Sequence, residues 1–305
     1  MAEQAPPQKQ PRRKLWTYSI VAAVIIAALI TAFFLLQARD KQAKAEKDTH
    51  KQTSQSINIG IPINDSPGFS SMKDGQRNGF DIDLANFIAD GLKRHPNFVP
   101  ITVGSREQQL KKGYIDLSIS TYSISDKRIQ EGIIFAGPYL RTDQGILVNA
   151  SNTTIATIDD LKGETVCVTK GSTSDDKLKE LNKNVPLVIL ERDTFTQCLD
   201  DLKNPSTNVR AITNDTIILQ GHANADSSLK VVPNVVIPGT YEKYGIGMAK
   251  SDAALCGEVT ALLKEFVTKQ WNPAFTANFT LTNGQSSTSL KPDPSTIDTE
   301  SCRTQ

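Results

Sequence analysis

Residues 116–140 read DLSISTYSISDKRIQEGIIFAGPYL. Leu117 and Ile119 give the start the pattern of a buried strand, after which the segment turns to hydroxyls at Ser120, Thr121, Ser123 and Ser125 before it reaches Arg128. Ser125 stands where the N-cap of a following helix belongs. In open parallel sheets, ligands sit beyond the carboxyl ends of strands, where loops and helix N-termini expose unpaired N–H groups. Hydroxyls, backbone donors and one guanidinium therefore converge where an anion can dock.

Working outward, an alternation of apolar strand runs and periodic helical stretches begins near Ile57, with INIGIPI, FDIDLANFIADGL, FVPITV and REQQLKKG ahead of the quoted segment. Such alternation predicts parallel strands joined by crossover helices. A second block starts near Leu161 with TVCVTK, a helix after GSTS, LVIL, FTQCLDDLK, RAITND and LKVVP, which predicts a second α/β lobe. In it TKGSTSDDKLKEL ends a strand, turns at Gly171 and places Ser172, Thr173 and Ser174 before a helix, so a carboxylate can be shared between the lobes. Asp215 closes RAITND at a strand end and is the candidate acceptor for an ammonium, which needs a partner that stays ionised in a closing cleft. Arg106 opens the helix of VGSREQQLKKG, where the helix dipole disfavours a cation; a second ligand carboxylate is one reason for it, and a plain surface arginine is the alternative. Near the end, residues 252–270 predict a strong helix with Leu255, Val259, Leu262, Leu263, Phe266 and Val267 on one face. The Ser-, Thr- and Pro-rich stretch TNGQSSTSLKPDPSTIDTE reads as a tail.

The 305 residues carry a formal net charge of +1, and the basic side chains are scattered, which argues against a nucleic-acid partner. Residues 15–38, LWTYSIVAAVIIAALITAFFLLQA, contain no charge and are long enough to cross a bilayer as a transmembrane helix. Trp16 and Tyr18 suit the headgroup level, and Arg12, Arg13 and Lys14 favour a cytoplasmic N-terminus with the bulk of the chain outside. An uncleaved anchor is favoured over a signal peptide, because the apolar core is long and the small pair Ala43 and Ala45 is flanked by lysines. Residues 1–14 are then a cytoplasmic tail, and 39–56, poor in large apolar side chains, a linker. All four cysteines lie beyond the span. Cys167 in a strand-like run and Cys198 in a helix-like one can face one core, leaving Cys256 to pair with Cys302; four free buried thiols are the alternative. The sequence shows no metal-ligand cluster and no phosphate-cradling glycine loop. His50, His95 and His222 share no spacing that suggests a catalytic site, and His222 is expected on the lobe surface.

The strings GFDIDLANFIA, STYSISDKRIQEGIIFAGPYL, LKGETVCVTKGSTS, TFTQCLDDLK, AITNDTIILQGHA and YGIGMAKSDAALC follow one another over about residues 57–280. Together they resemble the family 3 extracellular solute-binding proteins of polar amino-acid uptake systems, and within them the actinobacterial glutamate-binding branch. The resemblance implies a periplasmic-binding-protein-like fold, two α/β lobes joined by two hinge strands near 145–150 and 244–249. It places residues 57–147 and 247–282 in lobe 1, 148–246 in lobe 2, and 283–305 in a flexible tail. By position, it implies that Arg128 grips an α-carboxylate with help from Ser123 and Thr173, beside Ser172, while Thr121 and Asp215 receive the α-ammonium. Arg106 matches an arginine turned toward a side-chain carboxylate, and Phe69 is expected to cover the ligand's apolar face. Two features depart from the branch. The chain carries a span, and Pro62 stands where a second basic side chain is expected, so aspartate, glutamine and asparagine stay open beside glutamate.

The implied function is a tethered extracellular receptor that passes a free amino acid to an ABC permease driven by its ATPase. A sensor read by a membrane signalling partner is the alternative. An enzyme on the same scaffold has less support, because no acid and base pair is visible beyond Asp215, and no cofactor is expected.

Overall fold

Ile57, Ile59 and Ile61 are all buried on one side of strand β1 (Ser56–Pro62), and Gly60 between them sits where a Cβ would strike Ile101 and Ile115. The computed structural model describes residues 56–239, 241–281 and 286–304, together with Gln37 and Arg39. Its further strands are β2 (Ser71–Lys73), β3 (Gln76–Asn78), β4 (His95–Ile101), β5 (Leu117–Ser118), β6 (Ile133–Thr142), β7 (Gln144–Asn149), β8 (Thr165–Thr169), β9 (Val188–Arg192), β10 (Val209–Asp215), β11 (Leu229–Val231) and β12 (Glu242–Ala249). The α-helices are α1 (Phe80–Gly91), α2 (Arg106–Lys111), α3 (Asp126–Gln130), α4 (Thr173–Leu181), α5 (Phe195–Lys203), α6 (Thr216–Ala225), α7 (Ala253–Lys269), α8 (Trp271–Asn278), α9 (Ser287–Leu290) and α10 (Pro294–Glu300).

Two five-stranded sheets form the two lobes, with strand orders β4-β1-β5-β12-β6 and β11-β7-β10-β8-β9. The expected parallel pairing holds for β4, β1 and β5 and for β10, β8 and β9. It is interrupted in each lobe by one strand of opposite sense: β12 runs antiparallel between β5 and β6, and β7 runs antiparallel to both β10 and β11. The chain passes from the first sheet to the second at Asp143, between β6 and β7, and returns between β11 and β12. Pairing begins at once on each side, Glu242 opposite Thr142 and Gln144 opposite Asp215, so the sheets divide the chain a few residues earlier than the expected boundaries at 147/148 and 246/247.

The larger core lies in the first lobe, where α1 and α7 bring Phe80, Leu84, Ile88, Val259, Leu263 and Phe266 against the sheet at helical spacing. Trp271 of α8 is buried there and donates from Nε1 to the Tyr139 carbonyl at 2.7 Å. The second lobe has apolar clusters around Val166 and Val168 and around Cys167 and Ile212, on the two faces of its sheet.

Both expected disulfides are present: Cys167–Cys198 joins β8 to α5, and Cys256–Cys302 joins α7 to the end of the chain. The second pair accompanies a correction. The segment expected as a flexible tail folds, over residues 286–304, onto the first lobe, burying Leu290 of α9 and Ile297 of α10 in its core. Ser286 and Asp293 cap the two helices, and the Cys302 amide donates to the Phe135 carbonyl of β6 at 2.7 Å. The transmembrane helix expected at 15–38 and the tail at 1–14 lie outside the described residues, apart from Gln37, and so does nearly all of the 39–56 linker. Among the described residues no helix is long and apolar enough to cross a membrane.

Candidate functional site

The loop after β5 leaves the sheet with Thr121 in the left-handed region, φ 50°, and then runs beside β12: Gly245 donates its amide to the Tyr122 carbonyl, and Ile124 donates to that of Lys243. Period-two alternation therefore sends Tyr122 inward, where it is fully buried, while Thr121 and Ser123 line the cleft between the lobes. Ser125 caps α3 by accepting the Arg128 amide. α3 and α2 each deliver one arginine to the same wall, Arg128 at 5 % exposure and Arg106 at 4 %.

These two guanidiniums lie over the ring of Tyr122, 4.6 and 4.4 Å from its centroid. Arg128 donates from Nε to Glu107 Oε1 at 3.2 Å, from Nη1 to the Ser123 carbonyl at 2.6 Å, and across the cleft from Nη2 to the Gly171 carbonyl at 3.3 Å. The Tyr122 hydroxyl donates to that same Glu107 oxygen at 2.7 Å. Arg106 is held by carbonyls, Nε on Val103 and Nη1 on Ser120, both at 3.1 Å. Among the described residues no carboxylate forms an ion pair with Arg106. Burial and the neighbouring Arg128 lower its pKa to about 10, which leaves it charged at neutral pH. Burial opposes ionisation of Glu107, but Arg106, the Tyr122 hydroxyl and Arg128 together hold its carboxyl below the usual range. The wall therefore carries two cations and one carboxylate.

Across the cleft, Asp215 ends β10 and is 4 % exposed. Its Oδ2 accepts the Tyr244 hydroxyl at 2.5 Å, whereas Oδ1, beside the Gln144 amide, is buried with no well-formed hydrogen bond among the described residues. Behind it Glu242 accepts Lys177 Nζ at 2.7 Å, Gln144 Nε2 at 3.2 Å and Thr173 Oγ1 at 3.0 Å. Burial, then the Glu242 carboxylate, push the pKa of Asp215 up to about 7 against the pull of Tyr244 and Lys177. This end thus offers an unsatisfied carboxylate oxygen, and the facing wall surplus positive charge.

Of the residues singled out in the sequence, Arg106, Arg128, Thr121 and Ser123 come to the cavity from the first lobe, and Ser172, Thr173 and Asp215 from the second. Ser172 is occupied as the cap of α4, accepting the Asp175 amide and donating to the Thr169 carbonyl. Thr173 Oγ1 lies 3.3 Å from Ser123 Oγ and so bridges the lobes. Phe69 is not brought to the cavity. It is fully buried in the first core, edge-on to Tyr244 and Phe279, because the turn ahead of α1 folds it inward. His222 is also placed differently from expectation: it lines the cavity, ring against Phe195 at 4.6 Å, and burial followed by the Lys203 charge lowers its pKa to about 4. Sequence reasoning missed Glu107, Tyr122, Glu242 and Tyr244. The parity of Tyr122 between two cleft hydroxyls was the available signal for one of them.

Comparison with known proteins identifies the family. The chain is 31% identical over 221 residues to the glutamate-binding protein GluB of Corynebacterium glutamicum, covering 68% of this chain and 73% of that protein. It is 28% identical over 258 residues to the ABC transporter glutamine-binding protein GlnH of Bacillus subtilis, covering 81% and 89%. Among solved structures, an ancestral arginine-binding protein bound to arginine superposes with a TM-score of 0.66 at 28% identity, covering 74% of this chain and 99% of that one. The ancestral amino acid-binding protein AncCDT-1, a precursor of cyclohexadienyl dehydratase, gives 0.65 at 27%, covering 75% and 96%. Residues 57–278 match the family described as bacterial extracellular solute-binding proteins, family 3, and the chain, two lobes with the cleft residues named above, belongs to that family.

Proposed function

We propose that the protein is a tethered extracellular receptor that captures a free amino acid with an acidic or amide side chain, glutamate first, by closing its lobes, and hands it to an ABC importer. One observation carries the reading: orphaned charge of opposite sign on the two sides of one cavity. Asp215 Oδ1 lacks a well-formed hydrogen bond among the described residues, and of the two guanidiniums on the facing wall Arg128 alone is ion-paired, to Glu107. A zwitterion satisfies both ends, its ammonium at Asp215 and its α-carboxylate at Arg128 with Ser123 and Thr173. Each charge-assisted bond adds roughly 1.5–3 kcal/mol, and because each lobe holds only part of the set, the ligand favours the closed state. Arg106, without an ion-pair partner among the described residues, faces the ligand's side chain. The named relatives that bind glutamate and glutamine support that class. The apolar stretch at 15–38 supports tethering to the cell membrane, with the binding part outside.

The charge count favours glutamine as a second reading. Glu107 already offsets one guanidinium, so an α-carboxylate alone neutralises the wall and a side-chain carboxylate exceeds it. Melting residues 53–305 against the twenty amino acids separates these cases, because a ligand that binds only the native state raises the melting temperature, by about 2.7 kcal/mol of stability at a hundredfold excess over Kd. Glutamate is expected to give the largest shift. No shift with any of the twenty would sink the reading. For delivery as opposed to sensing, uptake that persists after deletion of the partner permease would favour the sensor.

A further inference from the structure

Thr121 combines two properties that rarely meet: it is β-branched, and it holds φ 50°. Something must hold it there. The Ser120–Thr121 peptide is gripped from both sides. Its N–H donates to Asp81 Oδ2 at 2.9 Å, and its C=O accepts Arg106 Nη1 at 3.1 Å and the Thr121 hydroxyl at 2.7 Å. Two residues on, the Ser123 carbonyl receives Arg128. If the peptide plane turned, the acceptor of Arg106 would turn with it.

Asp81 is fully buried in the first turn of α1, where the helix dipole favours a carboxylate. Its other oxygen accepts the Tyr139 hydroxyl at 3.0 Å, its own amide donates to the Phe69 carbonyl, and among the described residues no cation pairs with it. Gly79 permits this approach: it holds φ 136°, and a Cβ there would stand 2.2 Å from the Phe69 oxygen. A buried carboxylate surrounded by neutral donors is costly to keep unless those donors need holding. Burial pushes its pKa up to about 7 despite the Tyr139 and Thr121 bonds.

We infer that Asp81 is a positioning residue of the ligand loop: by accepting the Thr121 amide it fixes the Ser120–Thr121 peptide, and through that carbonyl it aims Arg106 at the cleft. The inference rests on the proposed binding function for what the loop contacts, not for how the loop is held.

A double-mutant cycle tests it, with L-glutamate and L-glutamine as titrants and amide hydrogen exchange recorded without either. Asp81→Asn keeps an acceptor for the Thr121 amide and is expected to bind within about threefold of the unaltered protein. Asp81→Ala is expected to lose at least tenfold in affinity. In the Thr121→Gly background, where the left-handed conformation carries no penalty, the same Asp81→Ala change is expected to cost less than about threefold. Equal losses in the two backgrounds, or Asp81→Asn as weak as Asp81→Ala, would overturn the assignment. If the unaltered protein binds neither amino acid, the binding reading is the one that falls, and the exchange data still decide the holding role. Exchange of the Thr121 amide should be slow in the unaltered protein and in Asp81→Asn and fast in Asp81→Ala. Unchanged exchange in Asp81→Ala refutes it.

Discussion

Arg106 and Arg128 reach the cleft from one short stretch of the first lobe and meet on the ring of a residue between them in sequence, Tyr122. Asp215, on the opposite side, depends on residues brought from far along the chain: Tyr244 and Glu242 from β12, Gln144 from β7 and Lys177 from α4. The two ends also answer burial differently. A guanidinium has room to lose affinity for its proton, and Arg106 at about 10 is still a cation at pH 7. A carboxyl raised to about 7 has no such margin, so Asp215 is the end that solution pH can switch.

The largest effect tests whether the cationic wall dominates. Arg128→Ala removes the contacts to Glu107, Ser123 and Gly171 along with the grip on a carboxylate, and should cost about 3 kcal/mol or more, over a hundredfold in affinity by calorimetry. An unchanged titration would end the assignment. Next comes the acidic end, where binding and stability should move in opposite directions. Asp215→Asn is expected to weaken binding at pH 8 by about thirtyfold, as for one charged hydrogen bond lost. Without ligand, the same variant should melt higher than the unaltered protein at pH 8, by less at pH 5, and equally only below the unfolded value of 3.8. The sign follows from the raised pKa: the folded state holds its proton to about 7 while the unfolded chain releases it near 3.8, so ionisation opposes folding increasingly between these values. For the same reason, affinity of the unaltered protein should fall below about pH 7, by at most about tenfold per unit, and level off above it. A flat profile would mean that Asp215 does not meet the ammonium. The smallest effect sharpens the ligand's identity. Arg106→Gln should weaken glutamate about tenfold more than glutamine, and equal losses would favour the amide ligand.

Much of this contrast was legible where a residue's role is fixed by local chemistry. Ser125 before α3, Ser172 before α4 and Asp215 at the end of β10 follow from capping and strand-end rules that act within a few residues. The helical stripe of Val259, Leu263 and Phe266 was equally plain. Phe69 was misread because an aromatic side chain in a turn suits a core as well as a cleft, and only the packing of Tyr244 and Phe279 decides. Residues 286–304 were misread on composition, although Asp293 followed by Pro294 is a helix start and a cysteine at 302 that pairs with 256 requires the chain to come back. Glu242 and Tyr244 could not be read at all. Their partners lie 98 and 29 residues away in the other lobe, and nothing in the local pattern points to them.

The two disulfides are divided between the lobes. Cys167–Cys198 lies wholly in the second lobe and Cys256–Cys302 wholly in the first, closing loops of 31 and 46 residues. Loop-closure entropy makes each worth about 4 kcal/mol against unfolding. Neither cross-link spans the passage between the two sheets at Asp143, so each disulfide restrains the unfolded chain of one lobe and adds no covalent tie from one lobe to the other.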